Sequence, residues 1–585
     1  MRLTALRSRH GNKDGLVKLS NRDGARVLRA GRYTLVFHGD RPFVDLETPH
    51  GERLAELFNF PGVHPLNGRD AAYDPGDWIV QESPDGVDLL MTSKSTVWRS
   101  KTVRFRCAPH RFTVDVEVEG EGRLADVHYF GGYYLGNPRW SSGFFWSGQR
   151  FSQLFNPEPT IPEVFHHDPS AGSKIDLMGV PLPAKGDWFF TPPPFCYAAR
   201  VPGGWLALGV EARPGDNTFT EYRYHGSLGA FYLSLSYEGY TQVDGRYTLP
   251  AIGFDFAGDE YAALAAHVSA LQAAGYAPVP EPRDAPAWWR TPIYCGWGSQ
   301  CYLAAVDGAR APDYARQEHY EHFLSALEQH DLSPGIVVLD DKWQATYGEN
   351  RVDEAKWHDL RGFIDQQHAK GRRVLLWLKA WDCEGIPAEE CVTHPGGKPV
   401  AFDPTHPAFE RRFRAAIRHM LSTEGYDADG FKIDFTARVP SGPGLSIHEE
   451  VWGLELMKRY LSVLYSEAKQ VKPDALIMSH TAHPYLADVL DMIRLNDINM
   501  GTDVNRAMTH RAKVASIACP AAIIDTDNWP ITDKATWRAY VQLQPELGVP
   551  SLYFATHIDV TKEPLTPEDY ELIRQTWARF LEKQI

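Results

Sequence analysis

The stretch Asp429–Phe435 reads DGFKIDF, which is the pattern of a strand buried on both faces. Its apolar residues end in a Lys-x-Asp pair formed by Lys432 and Asp434. A second apolar run ends in RLND at Asp497. Strands of a parallel sheet are covered on both faces and read as near-continuous apolar runs, whereas antiparallel strands alternate. The two runs therefore predict an α/β fold in which a charged residue closes each strand.

The same order of buried strand, loop and amphipathic helix repeats from Pro292 to the end of the chain. We predict eight strands, at Pro292–Trp297, Gly335–Asp341, Arg373–Leu378, Gly430–Asp434, Ala475–His480, Met492–Asp497, Ala521–Asp525 and Pro550–Ala555. Amphipathic stretches such as WHDLRGFIDQQHAKG and VWGLELMKRYLSVLYSEAKQ lie between them. Eight such units over about 290 residues fit a (β/α)₈ TIM barrel better than an open doubly wound sheet.

The first half of the chain has a different pattern. From Tyr33 to about Pro250, short alternating runs are separated by Gly, Pro, Asn and Asp. Alternation with a period of two is typical of antiparallel strands with one buried face, so we expect a large β-sandwich here. A helix is expected at about Asp259–Ala274. The predicted domains are a β-sandwich over 1–277, a Pro-rich linker over 278–290 and the barrel over 291–585.

Composition limits the partners and the compartment. A net charge of −15 argues against nucleic acid or an anionic membrane surface as a partner, because both need a concentrated positive field. No apolar run is long enough for a signal peptide or a membrane span, which favours a cytoplasmic protein. The seven cysteines are odd in number and scattered, so neither a disulfide framework nor a structural zinc site is expected.

Polar residues cluster at the predicted strand ends. In a barrel these ends converge on one mouth, which is where activity lies. The candidates in strand order are Trp297; Asp340, Asp341 and Trp343; Trp377 and Lys379; Lys432 and Asp434; His480; Arg494 and Asp497; and Asp525 and Asp527. Asp also favours turns and helix N-caps after strands, which would explain any single one of them without a function. The set is more specific, because Lys432 and Arg494 lie within three residues of Asp434 and Asp497.

Two carboxylates in these positions suit a retaining glycosidase. One must attack the anomeric carbon while the other protonates the leaving oxygen. Cations next to a carboxylate keep it ionised, as a nucleophile requires, whereas the general acid needs a raised pKa. We predict Asp434 as the nucleophile and Asp497 as the acid/base, with Asp503 or Asp491 as alternatives to Asp497.

The remaining candidates have two interpretations each. Asp340 and Asp341 either cap local turns or accept hydrogen bonds from sugar hydroxyls beside the Trp343 indole. Lys379 either lies in solvent or meets an anionic group of the substrate. His480 is either a structural histidine or a substrate-binding one, and no HExxH motif or comparable cluster supports a metal.

The barrel resembles glycoside hydrolase clan D, and looks closest to family 36, the α-galactosidase and raffinose-synthase group. The matching segments, in order, are YCGWGSQC, PGIVVLDDKWQ, HAKGRRVLLWL, GFKIDF and IRLND. The resemblance implies retention of the α configuration, with Asp434 as nucleophile and Asp497 as acid/base, and it requires no metal or organic cofactor. It also implies sugar-binding roles at neighbouring positions, namely Asp340, Asp341, Lys432, Trp343 and Arg494.

The chain departs from the family pattern at two places. Lys342 replaces the usual Gly between the Asp pair and Trp, and Ser479–Pro484 replaces a Ser-Cys-x-x-Gly-Gly segment. Since that segment contacts the sugar in the family, the glycone stays open among galactose, glucose, an N-acetylhexosamine, a pentose and an acidic sugar. The sequence is also compatible with a raffinose-synthase-like transglycosylase and with a non-catalytic carbohydrate-binding protein. It has no signature of oligomeric state, so a homo-oligomer stays open.

Overall fold

The computed structural model describes residues 17–83, 85–136, 143–149, 153–155, 164–166, 174–177, 195–227, 229–281, 285–498 and 503–584. It confirms the predicted fold class, a large antiparallel β domain followed by a (β/α)₈ barrel. Residues 1–16 lie outside the described residues, as do 282–284 of the predicted linker.

Eight parallel strands form the barrel. They are Ile293–Cys295, Ile336–Leu339, Arg373–Lys379, Gly430–Asp434, Leu476–Ser479, Met492–Arg494, Ile523–Asp525 and Ser551–Leu552. Each of the first six strands pairs with the next one along the chain, and the eighth pairs with the first. The ring closes between the seventh strand and Val549, whose N–H donates to Ile524 O over 2.8 Å and whose carbonyl accepts from Thr526 N over 3.1 Å. All strand C-termini therefore meet at one mouth.

Helices surround the barrel strands. They are Trp297–Asp307, Gln317–Glu328, Leu360–Ala369, Pro407–Leu421, Gly453–Val471, Val504–Ala518, Lys534–Leu547 and Pro567–Glu582, while helix Glu260–Ala273 packs on the β domain and on helix Val504–Ala518. Short 3₁₀ turns are Ala287–Arg290, Ala311–Tyr314, Ala388–Glu390 and Pro484–Leu486, and a small hairpin pairs Cys391–Thr393 with Pro399–Phe402. Within the part of the chain that the structure describes, no helix is both long and apolar enough to cross a membrane.

The β domain contains the other described strands, paired almost entirely antiparallel. They are Lys18–Arg22, Ala25–Arg29, Thr34–Phe37, Phe43–Glu47, Arg53–Phe58, Gly62–Pro65, Ala71–Tyr73, Ile79–Ser83, Gly86–Ser95, Ser100–Cys107, Arg111–Tyr129, Gly131–Tyr134, Gly143–Gln149, Gln153–Phe155, Val164–His166, Lys174–Leu177, Cys196–Val201, Gly204–Glu211, Glu221–Ser227, Ala230–Thr248 and Ala251–Ala257. Alternate residues of Gly86–Ser95 and Ser100–Cys107 are buried, as the period-two pattern predicts. The domain therefore has its own apolar core.

The β domain packs on the segment that follows the fourth barrel strand. The Tyr240 ring stacks on Trp452 with centroids 3.7 Å apart, and its hydroxyl accepts from Leu445 N over 2.9 Å. Glu455, in the first turn of helix Gly453–Val471, accepts from the backbone N–H groups of Gly215 and Asn217 over 2.8 and 3.1 Å. The β domain thereby fixes backbone close to the barrel mouth. The domain boundaries themselves stay a prediction.

Candidate active site

Arg494 is at the centre of the barrel mouth. It ends the sixth strand, is fully buried, and contacts three carboxylates. Its Nη1 donates to Asp497 Oδ1 over 2.8 Å and to Asp527 Oδ2, and its Nη2 donates to Asp434 Oδ1 over 3.2 Å. One guanidinium thus holds the two predicted catalytic carboxylates, one at each terminal nitrogen.

Asp434 ends the fourth strand and is surrounded by groups that favour its ionised form. The Trp377 indole N–H donates to Oδ2 over 3.3 Å, and His480 Nε2 lies 3.4 Å from Oδ1. Burial opposes ionisation, but the charges of Arg494, His480 and Lys432 outweigh it and hold the pKa of Asp434 well below its ordinary value. Asp434 is therefore an anion at any physiological pH.

Asp497 has the opposite protonation behaviour. Burial raises its pKa to about 7, and the negative charges of Asp434 and Asp527 add to this, although Arg494 opposes the shift. The carboxyl is partly exposed at the mouth. It can therefore hold a proton near neutrality and release it, which is what a general acid must do.

Lys432 and Asp340 form a buried ion pair next to the two carboxylates. Lys432 Nζ donates to Asp340 Oδ2 over 2.6 Å and to Tyr553 Oη over 3.3 Å, and the Cys295 thiol donates to the same Asp340 oxygen over 3.0 Å. The side chains of Lys432 and Asp340 are buried. This pair joins the first, second, fourth and eighth strands at the floor of the mouth.

Asp341 is tied to a tyrosine flanked by two lysines. The Tyr347 hydroxyl donates to Asp341 Oδ1 over 2.7 Å. Lys342 and Lys379 each place Nζ 4.1 Å from the centre of the Tyr347 ring, a cation–π distance. Lys342 also pairs with Glu384 over 2.6 Å and Lys379 with Asp382 over 2.8 Å. Burial raises the pKa of Asp341 to about 6 despite the Tyr347 hydrogen bond.

The tryptophans lie in places that the sequence did not specify. Trp343 is fully buried and its indole N–H donates to Trp377 O over 2.8 Å, so it packs against the third strand. Trp377 is buried against Asp434 as a hydrogen-bond donor. Trp297 begins helix Trp297–Asp307 and packs edge-on to Trp529 with ring centroids 5.7 Å apart.

Asp491 and Asp503, the two alternatives to Asp497, bond to groups that stabilise the fold. Asp491 precedes the sixth strand; its Oδ2 accepts from Ile477 N over 3.0 Å and pairs with Lys469 over 2.7 Å. Asp503 is the N-cap of helix Val504–Ala518 and accepts from Arg506 N over 3.2 Å. Arg494 bonds to Asp497 and to neither of these two carboxylates, so the geometry favours Asp497.

Two groups among the described residues have side chains spaced to hold a metal ion. In each group a basic side chain already pairs with at least one of the carboxylates. Arg111 bonds to two members of the buried group Glu211, Asp255 and His267. Lys472 pairs with Asp427, over 2.8 Å, in the group Asp365, His368 and Asp427. The site chemistry needs neither group, and the absence of a cofactor stays a prediction.

Several residues of the site were not selected from the sequence. Tyr347 and Tyr553 lie in loops or after a short strand, where a tyrosine has no distinguishing pattern. Asp527 was recognised only as a strand-end carboxylate, and its contact with Arg494 joins residues 33 apart. The three carboxylates around Arg494 come from the ends of different strands, and spacing along the chain does not show that these ends meet.

Comparison with known proteins supports the fold class. No family model matches the chain. A segment of 164 residues, 25% of this chain, is 24% identical to the myogenesis-regulating glycosidase of Mus musculus and spans only 21% of that protein.

Similar solved structures include a family 31 sulfoquinovosidase from E. rectale bound to an aza-sugar inhibitor (TM-score 0.59, 10% identity, 97% of this chain and 82% of that one). The cycloalternan-degrading enzyme from Trueperella pyogenes is also similar (TM-score 0.51, 11% identity, 85% of this chain and 82% of that one). The chain therefore has the fold of glycoside hydrolases, and these matches do not support the narrower assignment to family 36 of clan D.

Proposed function

We propose that this protein is a retaining, exo-acting α-glycoside hydrolase. The observation that carries the proposal is the shared contact of Arg494 with Asp434 and Asp497, whose pKa values are displaced in opposite directions. Divergent pKa values in a pair of carboxyl groups assign the acid and the nucleophile. Both carboxyl groups bond to the same guanidinium, as a pair that acts on one anomeric centre requires.

The geometry supports a double displacement. Asp434 attacks the anomeric carbon and forms a glycosyl ester while Asp497 transfers its proton to the leaving oxygen. Esterification removes the negative charge of Asp434, so the pKa of Asp497 falls and Arg494 holds the new carboxylate. Asp497 then takes a proton from water, and that water cleaves the ester with a second inversion.

The ligand of this site in our proposal is the glycone of an α-glycoside or oligosaccharide. The carboxylates Asp340 and Asp341, each engaged by a neighbouring donor, would accept hydrogen bonds from its hydroxyls. Galactose is the first glycone to test because of the five motifs quoted above. Transfer to a sugar acceptor and a different glycone are the competing proposals, and a cytoplasmic location stays a prediction.

The first test is hydrolysis of aryl α-glycosides, with galactoside, glucoside, N-acetylgalactosaminide, sulfoquinovoside and pentosides in the panel. We expect turnover of one glycone and, by proton NMR at early times, release of the α anomer first. Release of the β anomer first would contradict the retaining mechanism. Turnover of no substrate in the panel, with or without added sugar acceptors, would contradict the α-glycosidase proposal.

The pH profile should report Asp497. Because the acid form is needed, kcat/KM for a 4-methoxyphenyl glycoside should fall as the pH rises through about 7. Because the pKa of Asp434 is depressed, the acidic side should stay flat through the ordinary Asp pKa of about 4 and fall only at lower pH. Asp497→Ala should lose the basic limb and retain activity only on glycosides with activated leaving groups such as 2,4-dinitrophenol.

Asp503→Ala is the control for this prediction, since Asp503 caps a helix and lies outside the bonds of Arg494. It should retain the wild-type profile. A basic limb near pH 7 that persists in Asp497→Ala would assign the acid to another group.

A further inference from the structure

The backbone of Trp529 is fixed next to the proposed acid/base. Trp529 lies in the loop that follows the seventh barrel strand. Its carbonyl accepts from the N–H of Ile498, the residue after Asp497, over 2.9 Å. Its own N–H donates to Asp527 Oδ1 over 3.1 Å, and the other oxygen of Asp527 accepts from Arg494. Two backbone bonds therefore place Trp529 beside Asp497.

The Trp529 indole is oriented by two further segments of the mouth. Its N–H donates to Asp559 Oδ2 over 2.8 Å, and Asp559 is buried in the loop after the eighth strand. The second carboxyl oxygen of Asp559 accepts from Val560 N over 2.9 Å. The Trp297 ring, after the first strand, packs edge-on with the indole at a centroid distance of 5.7 Å. Trp529 is thus held from three strand ends while it stays partly exposed.

This part of the mouth is on the side where a leaving group must bind. The general acid has to reach the glycosidic oxygen, so the aglycone lies against the residues next to Asp497. An indole offers a large apolar face, which can cover the C–H face of a sugar ring. Because the bond to Asp559 already sets the orientation of the Trp529 ring, little further ordering is needed when a sugar packs on it.

We propose that Trp529 is the platform for the first sugar of the aglycone, and that Asp559 is a positioning residue that orients its indole. The proposal rests on the glycosidase function proposed above and names the part of the substrate that this side of the mouth selects. The substrate class is an α-linked di- or oligosaccharide whose leaving group is itself a pyranose. A leaving group without a ring would gain nothing from the platform.

Two substrates that differ only in the aglycone test this proposal. They are melibiose and methyl α-galactoside or, if the panel identifies glucose as the glycone, isomaltose and methyl α-glucoside. Both leaving groups are unactivated alcohols that need the proton of Asp497, so damage to the acid would lower turnover of both. Trp529→Leu should lower kcat/KM for the disaccharide about tenfold or more, and should change that for the methyl glycoside less than about twofold.

Two conservative variants keep the test informative if Trp529→Leu folds poorly. Trp529→Phe retains an aromatic face but loses the donor to Asp559, and Asp559→Asn weakens the acceptor while it retains the volume. Each should lower the ratio of kcat/KM for the disaccharide to kcat/KM for the methyl glycoside severalfold. Neither should move the basic limb of the pH profile.

Trp288→Leu is the matched control. Trp288 is also partly exposed, and its indole N–H also donates to a carboxylate, Asp474 Oδ2, over 3.4 Å. It precedes the first strand and therefore lies at the end of the barrel opposite the mouth. This variant should leave the ratio between the two substrates unchanged.

Equal losses on both substrates in Trp529→Leu, or a ratio that is unchanged in all three variants at the mouth, would overturn the aglycone platform and leave the hydrolase proposal intact. A wild type that cleaves neither substrate, nor any aryl glycoside of the panel, would instead contradict the proposed function and the platform with it.

Discussion

Asp434→Ala should lower kcat on the aryl α-glycoside that the wild type cleaves by roughly 10⁴-fold or more, the scale seen when a nucleophile is removed. Asp434 is held ionised by Arg494, His480 and Lys432, and it ends the strand at the centre of the mouth. No other carboxylate of the described site shares this combination, so no neighbour can replace it. The loss should therefore fall on kcat for every substrate, whatever its leaving group.

Azide and mass spectrometry distinguish a missing nucleophile from general damage. Azide should restore turnover of an activated glycoside by Asp434→Ala and give the β-glycosyl azide, since the small anion attacks from the vacated side. A fluorinated glycoside should add one glycosyl mass to Asp434 in the wild type. Asp488→Ala, which removes an exposed carboxylate paired with Lys458, is the matched control and should keep full activity. Glycosyl label on a different residue would contradict the assignment.

Arg494→Met should lower the free energy of unfolding by about 3–5 kcal/mol, because it leaves buried carboxylates without their cation. Arg494 bonds to Asp434, Asp497 and Asp527, and Asp527 is fully buried. The pKa of Asp434 is depressed in the folded protein, so its ionisation contributes stability above its unfolded value of about 4 and loses it as the pH falls. The difference between wild type and variant should therefore shrink below about pH 4.

Urea unfolding followed by circular dichroism measures this effect. The double variant Arg494→Met/Asp527→Leu removes a buried charge together with its partner, and it should recover a large part of the loss although it stays inactive. Arg438 is partly exposed in the loop after the fourth strand, so Arg438→Met is the matched control. It should lower the free energy of unfolding by less than about 1 kcal/mol. Equal stability of wild type and Arg494→Met would show that the charges at the mouth are solvated and not held by Arg494.

The barrel was readable from the sequence because its strands are buried on both faces. Gly430–Asp434 was predicted with the observed bounds, and the other seven strands were predicted within a few residues. Errors occur at strand ends, as at Met492–Arg494, because the buried apolar pattern continues into the loop.

Site chemistry was less predictable. Asp434 and Asp497 were identified from the cations near them in sequence, and these cations are also near in space. An indole such as Trp343 can pack on a sugar ring. Its burial here depends on how the loop after the second strand packs against the third strand, which the sequence does not show. Tyr347 is flanked by Lys342 of its own loop and by Lys379 at the end of the third strand, a convergence that no spacing rule describes.

The contact of Tyr240 with Trp452 and of Glu455 with the β-domain backbone has a consequence for the modularity of this chain. The segment after the fourth barrel strand takes its shape from the first half of the chain. A barrel excised at the linker would leave Trp452 without its stacking partner and Glu455 without its amide donors. A β domain exchanged between relatives should therefore be moved together with the barrel segment that it contacts. Changes in that segment and changes in the β domain are coupled through these contacts.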